Sequence, residues 1–137
     1  FLSNQNSCRS QMAEAILRNY KNPDLEIYSA GIAPVDHISP VAIEVMQEIG
    51  IDLKPGVPEH YSLFADLEFD YLITVGDGTA EQLKIPPIKF KRKMHLGFHN
   101  PYKNFKNRDE LVHKCREIRD EIQTEMDYFY HKILRKE

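Results

Sequence analysis

The sequence predicts one three-layer α/β domain: a four-stranded parallel sheet with helices on both faces. Three observations carry this expectation. Apolar segments of strand character alternate with amphipathic segments of helical period along the 137 residues, the pattern of βαβ units with right-handed crossovers. Phe69-Asp70-Tyr71-Leu72-Ile73-Thr74-Val75 is β-branched and aromatic and is bounded by Gly76, so it reads as a buried strand. Hydrophobic residues make up 42% and charged residues 28%, ordinary for a globular chain of one domain, long enough to bury a real core.

The elements follow in order. Phe1-Leu2 leads at once into a polar loop. A strand usually runs about 5–6 residues, so upstream strand residues are expected to be missing from this sequence; the alternative is a short natural strand. Residues 9–20 read as a helix, with Met12, Ala13, Ile16, Leu17 and Tyr20 at helical spacing and Asn22-Pro23 as the break. Residues 25–30 alternate apolar and polar up to Gly31 and predict a second strand. Ser39-Pro40 is an N-cap followed by proline at the first helical position, and the helix it opens ends at Gly50. Residues 52–60 are a loop, 69–75 the third strand, 79–84 a short helix and 89–98 the fourth strand, with Phe90, Arg92, Met94 and Leu96 on one side. Residues 109–134 form a long amphipathic helix along Leu111, Cys115, Ile118, Ile122, Met126, Phe129 and Ile133.

Several function classes are disfavoured. No apolar run approaches the roughly 20 residues of a membrane span, and no signal-peptide pattern is present, so the cytoplasm is the expected compartment and no membrane partner is expected. A net charge of −3 gives no general reason to expect nucleic acid. Cys8 and Cys115 fall in unlike contexts and suggest no disulfide framework. His95 and His99 are four apart, but Gly97 between them and the absence of a CxxC motif argue against a metal site. Lys89, Lys91, Arg92 and Lys93 read as a solvated strand end that could also steer an anion.

The chemistry points to the beginning of the chain. A strand end, the loop Ser3-Asn4-Gln5-Asn6-Ser7-Cys8 and a helix starting near Arg9 are the parts of a phosphate-sized anion cradle. Its loop amides converge, the helix dipole favours negative charge, and Arg9 offers a planar fork of donors. Asn6 is the residue best suited to positive φ in a loop without glycine. In parallel sheets ligands gather at the carboxyl ends of strands, where this loop lies.

Beyond these residues, Ser3 to Arg9 resembles the Cys-x5-Arg-Ser signature of the low-molecular-weight tyrosine phosphatases and the thioredoxin-coupled arsenate reductases, with Ser3 at the cysteine position. The resemblance continues through Tyr28-Ser29-Ala30-Gly31, the Pro40 helix ending in Gly50-Ile51-Asp52, the strand Leu72-Ile73-Thr74-Val75, and Met94-His95-Leu96-Gly97-Phe98-His99-Asn100-Pro101. It leans toward the arsenate reductases, because Asn6-Ser7-Cys8-Arg9-Ser10-Gln11-Met12-Ala13-Glu14 is their form of the loop. Tyr102 is similar to the aromatic residue by which the phosphatases flank phosphotyrosine.

The resemblance implies a catalytic set of Ser3 at the nucleophile position, Arg9, and Asn100 at the general-acid position. It implies oxyanion binding by Asn4, Gln5, Asn6, Ser7, Cys8, Arg9 and Ser10, with Ser29 supporting the loop. Some family members hold a potassium ion at positions matching Asn6, Glu14 and Ser29; otherwise no cofactor is expected beyond phosphate or sulfate in the loop. The partners it implies are an oxyanion or phosphoester substrate and thioredoxin or a phosphoprotein. Three departures weaken the chemistry. A serine hydroxyl has too high a pKa to ionise where a thiolate would. Asn100 cannot deliver a proton as an Asp would, leaving His99 and Asp109 as substitutes at non-matching positions. The two redox cysteines expected after the third strand are missing, that region reading Gly76-Asp77-Gly78 and Gln82-Leu83. Ser3 is either an engineered replacement or natural. The expectation is therefore a superfamily member of weak or absent activity. The alternatives are a phosphatase proper, a non-catalytic oxyanion- or phosphoprotein-binding pseudoenzyme, or a homologue with a vestigial cradle.

Overall fold

The computed structural model describes residues 1–77 and 84–136. Apart from Lys84, the helix expected over 79–84 lies outside the described residues, as do positions 78, 82 and 83. The strands are β1 (Leu2–Ser3), β2 (Ala30–Gly31), β3 (Glu68–Gly76) and β4 (Lys89–Gly97). The α-helices are α1 (Arg9–Arg18), α2 (Pro40–Gln47) and α3 (Arg108–Tyr128), the last running on into a wider π turn, Phe129–Ile133. All four strands are parallel in the order β2-β1-β3-β4, with Leu2 opposite both Ala30 and Thr74.

Local chemistry sets the helix boundaries. Ser39 Oγ accepts the amide of Ala42 at 3.1 Å with Pro40 at the first position of α2, a side-chain cap worth about 1 kcal/mol. Gly50 takes φ +78°, and the Ile51 amide returns to the Met46 carbonyl at 3.1 Å, the left-handed closure that glycine permits. Asn107 caps α3 by accepting the Glu110 amide at 2.9 Å.

The second strand is shorter than its alternation suggests. The observed ladder pairs Ala30 and Gly31 with Leu2 and Ser3, and just before it the Phe1 amino group donates to the Tyr28 carbonyl at 2.7 Å. Residues 24–30 and 67–73 instead line opposite sides of a cavity of about 720 Å³ beneath Phe1.

The pleat divides the core. Ile73 and Val75 point to the face where α1, α2 and α3 pack through Met12, Ile16, Ala42, Val45, Met46, Cys115, Ile118 and Ile122. Leu72 faces the other way with Leu2 and Ala30, covered by the 3₁₀ helix Tyr61–Phe64, Ile85 and Ile88. Of the face expected on β4, Met94 and Leu96 pack against the main core, while Phe90 and Arg92 remain exposed. Among the described residues no helix is long and apolar enough to cross a membrane.

A charged clamp fixes α2 to α3. Glu48 accepts Arg116 at 2.8 and 2.9 Å and Arg119 at 2.7 Å, and Arg119 also donates to the Val45 carbonyl. Hydrogen bonds from Arg116 and then Arg119 hold the Glu48 carboxyl down to about 2, against an ordinary 4.5. A carboxylate depressed in the folded state stabilises above its unfolded pKa and loses that contribution as pH falls through the folded one. The stability gap between the native chain and Glu48→Gln should thus be full above pH 4.5 and close toward pH 2, read by thermal melts across that range.

Candidate functional site

The loop between β1 and α1 is held from outside by its carbonyls. The segment after β2 runs beside it, and the amides of Ile32, Ala33, Val35 and Ser39 donate to the carbonyls of Ser3, Asn4, Gln5 and Ser7 at 2.8–3.3 Å. The Asn6 carbonyl accepts Gln11 Nε2 at 3.1 Å. Five successive carbonyls are therefore committed. Cys8 occupies the N-cap of α1 but makes no side-chain cap, so the first-turn amides await an acceptor from solvent or a ligand.

Asn6 is the pivot. It takes φ +54°, as its residue type suggests, and is 1% exposed. Its Nδ2 donates to Ser10 Oγ at 2.9 Å, while its Oδ1 accepts Gln11 Nε2 and the Glu59 amide, both at 3.0 Å. The loop also lies against Gly31. A Cβ there would stand 2.9 Å from the Asn4 carbonyl oxygen and 3.1 Å from Asn6 Cβ. Gly31→Ala should cost about 1–3 kcal/mol of stability, measured by denaturant unfolding.

Ser3 is buried at the base of the loop. Its Oγ accepts the Asn6 amide at 3.0 Å and shares a 2.8 Å hydrogen bond with Ser10 Oγ. Asn4 and Gln5 form the exposed rim, and Ser7 supports the loop through its carbonyl.

Arg9 reaches the carboxyl ends of β3 and β4. Its Nη1 donates to Asp77 Oδ1 at 3.0 Å and to the Phe98 carbonyl at 2.7 Å. Lys103 Nζ closes on the other Asp77 oxygen at 3.0 Å. Burial pushes the Asp77 carboxyl up, but the Lys103 hydrogen bond and the charges of Arg9 and Lys103 outweigh it, leaving the group below its usual range.

Asn100 builds the adjoining turn. Its Oδ1 accepts the Tyr102 amide at 3.0 Å and its carbonyl the Lys103 amide at 3.1 Å. The Tyr102 hydroxyl bonds that of Ser39. His99 and Asp109 are both exposed, Asp109 in the first turn of α3. Among the described residues, the carboxylate brought to Arg9 is that of Asp77.

Other expected residues lie apart from the loop's hollow. Ser29 donates to Glu14, whose second oxygen takes Arg18 at 2.8 Å. With the Asn6 oxygen already accepting two donors, Asn6, Glu14 and Ser29 do not form a ligand set fit for potassium. Cys8 turns into the main core rather than toward Ser3. Hydrogen bonding with Cys115 and burial push its thiol well above the ordinary range, so Cys8 is not an ionised nucleophile. Cys115 is fully buried, as the stripe of the last helix suggests.

Two contributors escaped the sequence reading. Gln11 is 4% exposed and holds Asn6; the loop motif contains it, but nothing in the sequence gives it that role. Asp77 stands at the carboxyl end of the third strand, a position at which ligands gather in parallel sheets.

Comparison with known proteins identifies the family and the fold. The model of the low molecular weight phosphotyrosine protein phosphatase family matches residues 1–137. The arsenate reductase of Shouchella clausii (strain KSM-K16) is 32% identical over 129 residues, spanning 94% of this chain and 91% of the relative. The arsenate reductase of Bacillus subtilis (strain 168) is 31% identical over 129 residues, with the same 94% and 91% coverage. A solved arsenate reductase in the phosphate binding state superposes with a TM-score of 0.79 at 24% identity, over 97% of this chain and 95% of that one. The YwlE arginine phosphatase from Geobacillus stearothermophilus gives 0.73 at 20% identity, over 99% and 92%. Since the family model matches the sequence from residue 1 to residue 137, the chain belongs to the low molecular weight phosphotyrosine protein phosphatase family.

Proposed function

We propose that this chain binds arsenate, phosphate or a phosphoester in the loop 3–10, and that Ser3 at the nucleophile position leaves it with weak or absent chemistry. The observation that carries the reading is the outward commitment of the loop's carbonyls. With the carbonyls held on one side, the loop amides other than that of Asn6, which donates to Ser3 Oγ, are left for the hollow, where the α1 dipole and the remaining guanidinium donors of Arg9 add positive potential. Ser3 sits at its base, where a thiolate would attack the central phosphorus or arsenic.

The hydrogen bonds to Ser3 would stabilise a thiolate, but they cannot ionise an alcohol at neutral pH. At the acid position Asn100 spends its side-chain oxygen on the Tyr102 amide, so it organises the turn and protonates nothing. Arsenate reduction needs further thiols, and the region after the third strand where the resemblance places them reads Gly76-Asp77-Gly78 and Gln82-Leu83. One structural relative is a thioredoxin-dependent arsenate reductase from Corynebacterium glutamicum, superposing with a TM-score of 0.70 over 100% of this chain and 61% of that one. We place a phosphoester or phosphoprotein ahead of thioredoxin as the partner, because exposed Tyr102 and Phe105 meet edge to face beside the loop and offer an apolar rim.

Thermal unfolding in phosphate, arsenate or sulfate, against chloride at matched ionic strength, tests the binding claim. A ligand at about 100 times its Kd adds about 2.7 kcal/mol to the folded state, so the tetrahedral anions should raise Tm saturably. No shift at millimolar anion would overturn the reading. Steady turnover of arsenate or an aryl phosphate by the native chain would overturn its chemical half.

A further inference from the structure

We propose that the outer edge of β4 is a docking site for an extended acidic segment of a partner protein, which joins the sheet as a further strand. Among the described residues β4 closes the order β2-β1-β3-β4, so no strand lies along its far side. Residues 89–93 are all exposed. Every second residue of such an edge turns its N–H and C=O outward, the template on which strand addition is built.

The side chains specify what the added strand carries. Leu72 of the smaller core is in register with Lys93, and side chains alternate along a strand, so Lys89, Lys91 and Lys93 line one face of β4. Their neighbours on β3 are acidic. Glu68 is in register with Lys89, and Lys91 Nζ stands 3.5 Å from Asp70 Oδ1. Charge therefore alternates from strand to strand at this end of the sheet, and an acidic strand continues the alternation. Opposite charges directly across a strand pair attract, and like charges repel. A second copy of β4 would set lysine against lysine, so the partner is not another copy of this chain. Edge lysines discourage such self-pairing; here the same row, backed by carboxylates on β3, selects an acidic strand. The other face of the edge carries Phe90, 37% exposed and in register with Phe69. The segment that fits has Asp or Glu at alternate positions and apolar residues between them. Single-stranded nucleic acid would meet the same charges but offers no peptide ladder to the edge. Lys93 precedes Gly97 by roughly 13 Å of strand, and it is beyond Gly97 that the Phe98 carbonyl meets Arg9. The docking site is thus separate from the proposed anion hollow and stands whether or not the loop binds phosphate.

The test titrates the isotopically labelled full chain with a blocked pentapeptide of alternating glutamate and valine, read by amide correlation spectra and hydrogen exchange. The expected result is saturable shifts centred on residues 89–93, slowed exchange of the outward amides there, and weakening as salt rises. Two further peptides are N-methylated, one at the glutamates and one at the valines. The one whose methyl groups face β4 loses its ladder bonds and is expected to bind about tenfold more weakly, while the other binds like the parent. Lys93→Glu, at an exposed position, is expected to weaken the parent peptide by about tenfold without lowering the melting temperature. Equal binding by all three peptides would reduce the contact to charge alone and overturn the proposal. Shifts centred on Asn4 to Ser10, no saturable binding, or tighter binding of oligothymidylate at residues 89–93 would overturn it as well.

Discussion

Arg9→Ala should weaken phosphate binding by roughly 10–100-fold, the loss expected when hydrogen bonds to a charged group disappear. Arg9 is the cation the fold delivers to the loop. Its Nη1 is pinned by Asp77 and the Phe98 carbonyl, which fixes the guanidinium plane and leaves its other donors for an oxyanion. Its side chain is only 18% exposed, so solvent screens the interaction less than at an open surface. Arg9→Lys keeps the charge but loses the fork, and should fall between the native chain and Arg9→Ala. Calorimetric titration at constant ionic strength reads the series. Equal affinity in all three would place the anion elsewhere. Lys103 still neutralises Asp77 in these variants, so a large loss of stability is not expected and a melt controls for it.

Ser3→Cys should convert a silent loop into a reactive one. A cysteine at this position would receive the Asn6 amide and Ser10 hydroxyl that now bond Ser3 Oγ, beside a helix N-terminus and an arginine. Such surroundings lower a thiol into the range of about 3.5–7.5, so it should be ionised at neutral pH. The expected outcome is a burst of aryl alcohol from an activated aryl phosphate, with the phosphoryl group left on the introduced thiol and detectable by mass spectrometry. Asn100 supplies no proton, so unactivated phenyl phosphate should react more slowly by a factor of the order of 10²–10⁴, the usual worth of a general acid. Ser3→Ala should remain silent. The absence of a burst from Ser3→Cys would show that more than the nucleophile has been lost.

The loop was legible because its signals are local. Ser3 to Arg9 fixes spacing, and Asn6 supplies the positive φ that a glycine-free turn requires. The caps at Ser39 and Gly50 were equally local. What escaped depends on distant neighbours. The alternation of residues 25–30 predicts a full strand, whereas the observed ladder joins Ala30 and Gly31 to Leu2 and Ser3. The Asp77–Arg9 contact joins the carboxyl end of β3 to the start of α1. Cys8 and Cys115, which fall in unlike sequence contexts, belong to one core because α1 packs on α3. Asn6, Glu14 and Ser29 match a cation motif in sequence, yet each is committed to a protein partner. Residue identity alone does not reveal which lone pairs are already taken.

The backbone amides of residues 4–10 are the proposed binding surface. Titrating inorganic phosphate into isotopically labelled chain, followed by amide nitrogen–proton correlation spectra, tests this most directly. Saturable shifts concentrated at Asn4 to Ser10, with the Arg9 side chain moving in step, are the predicted result. Shifts confined to the basic strand Lys89 to Lys93, or no saturable shift in the loop, would contradict it.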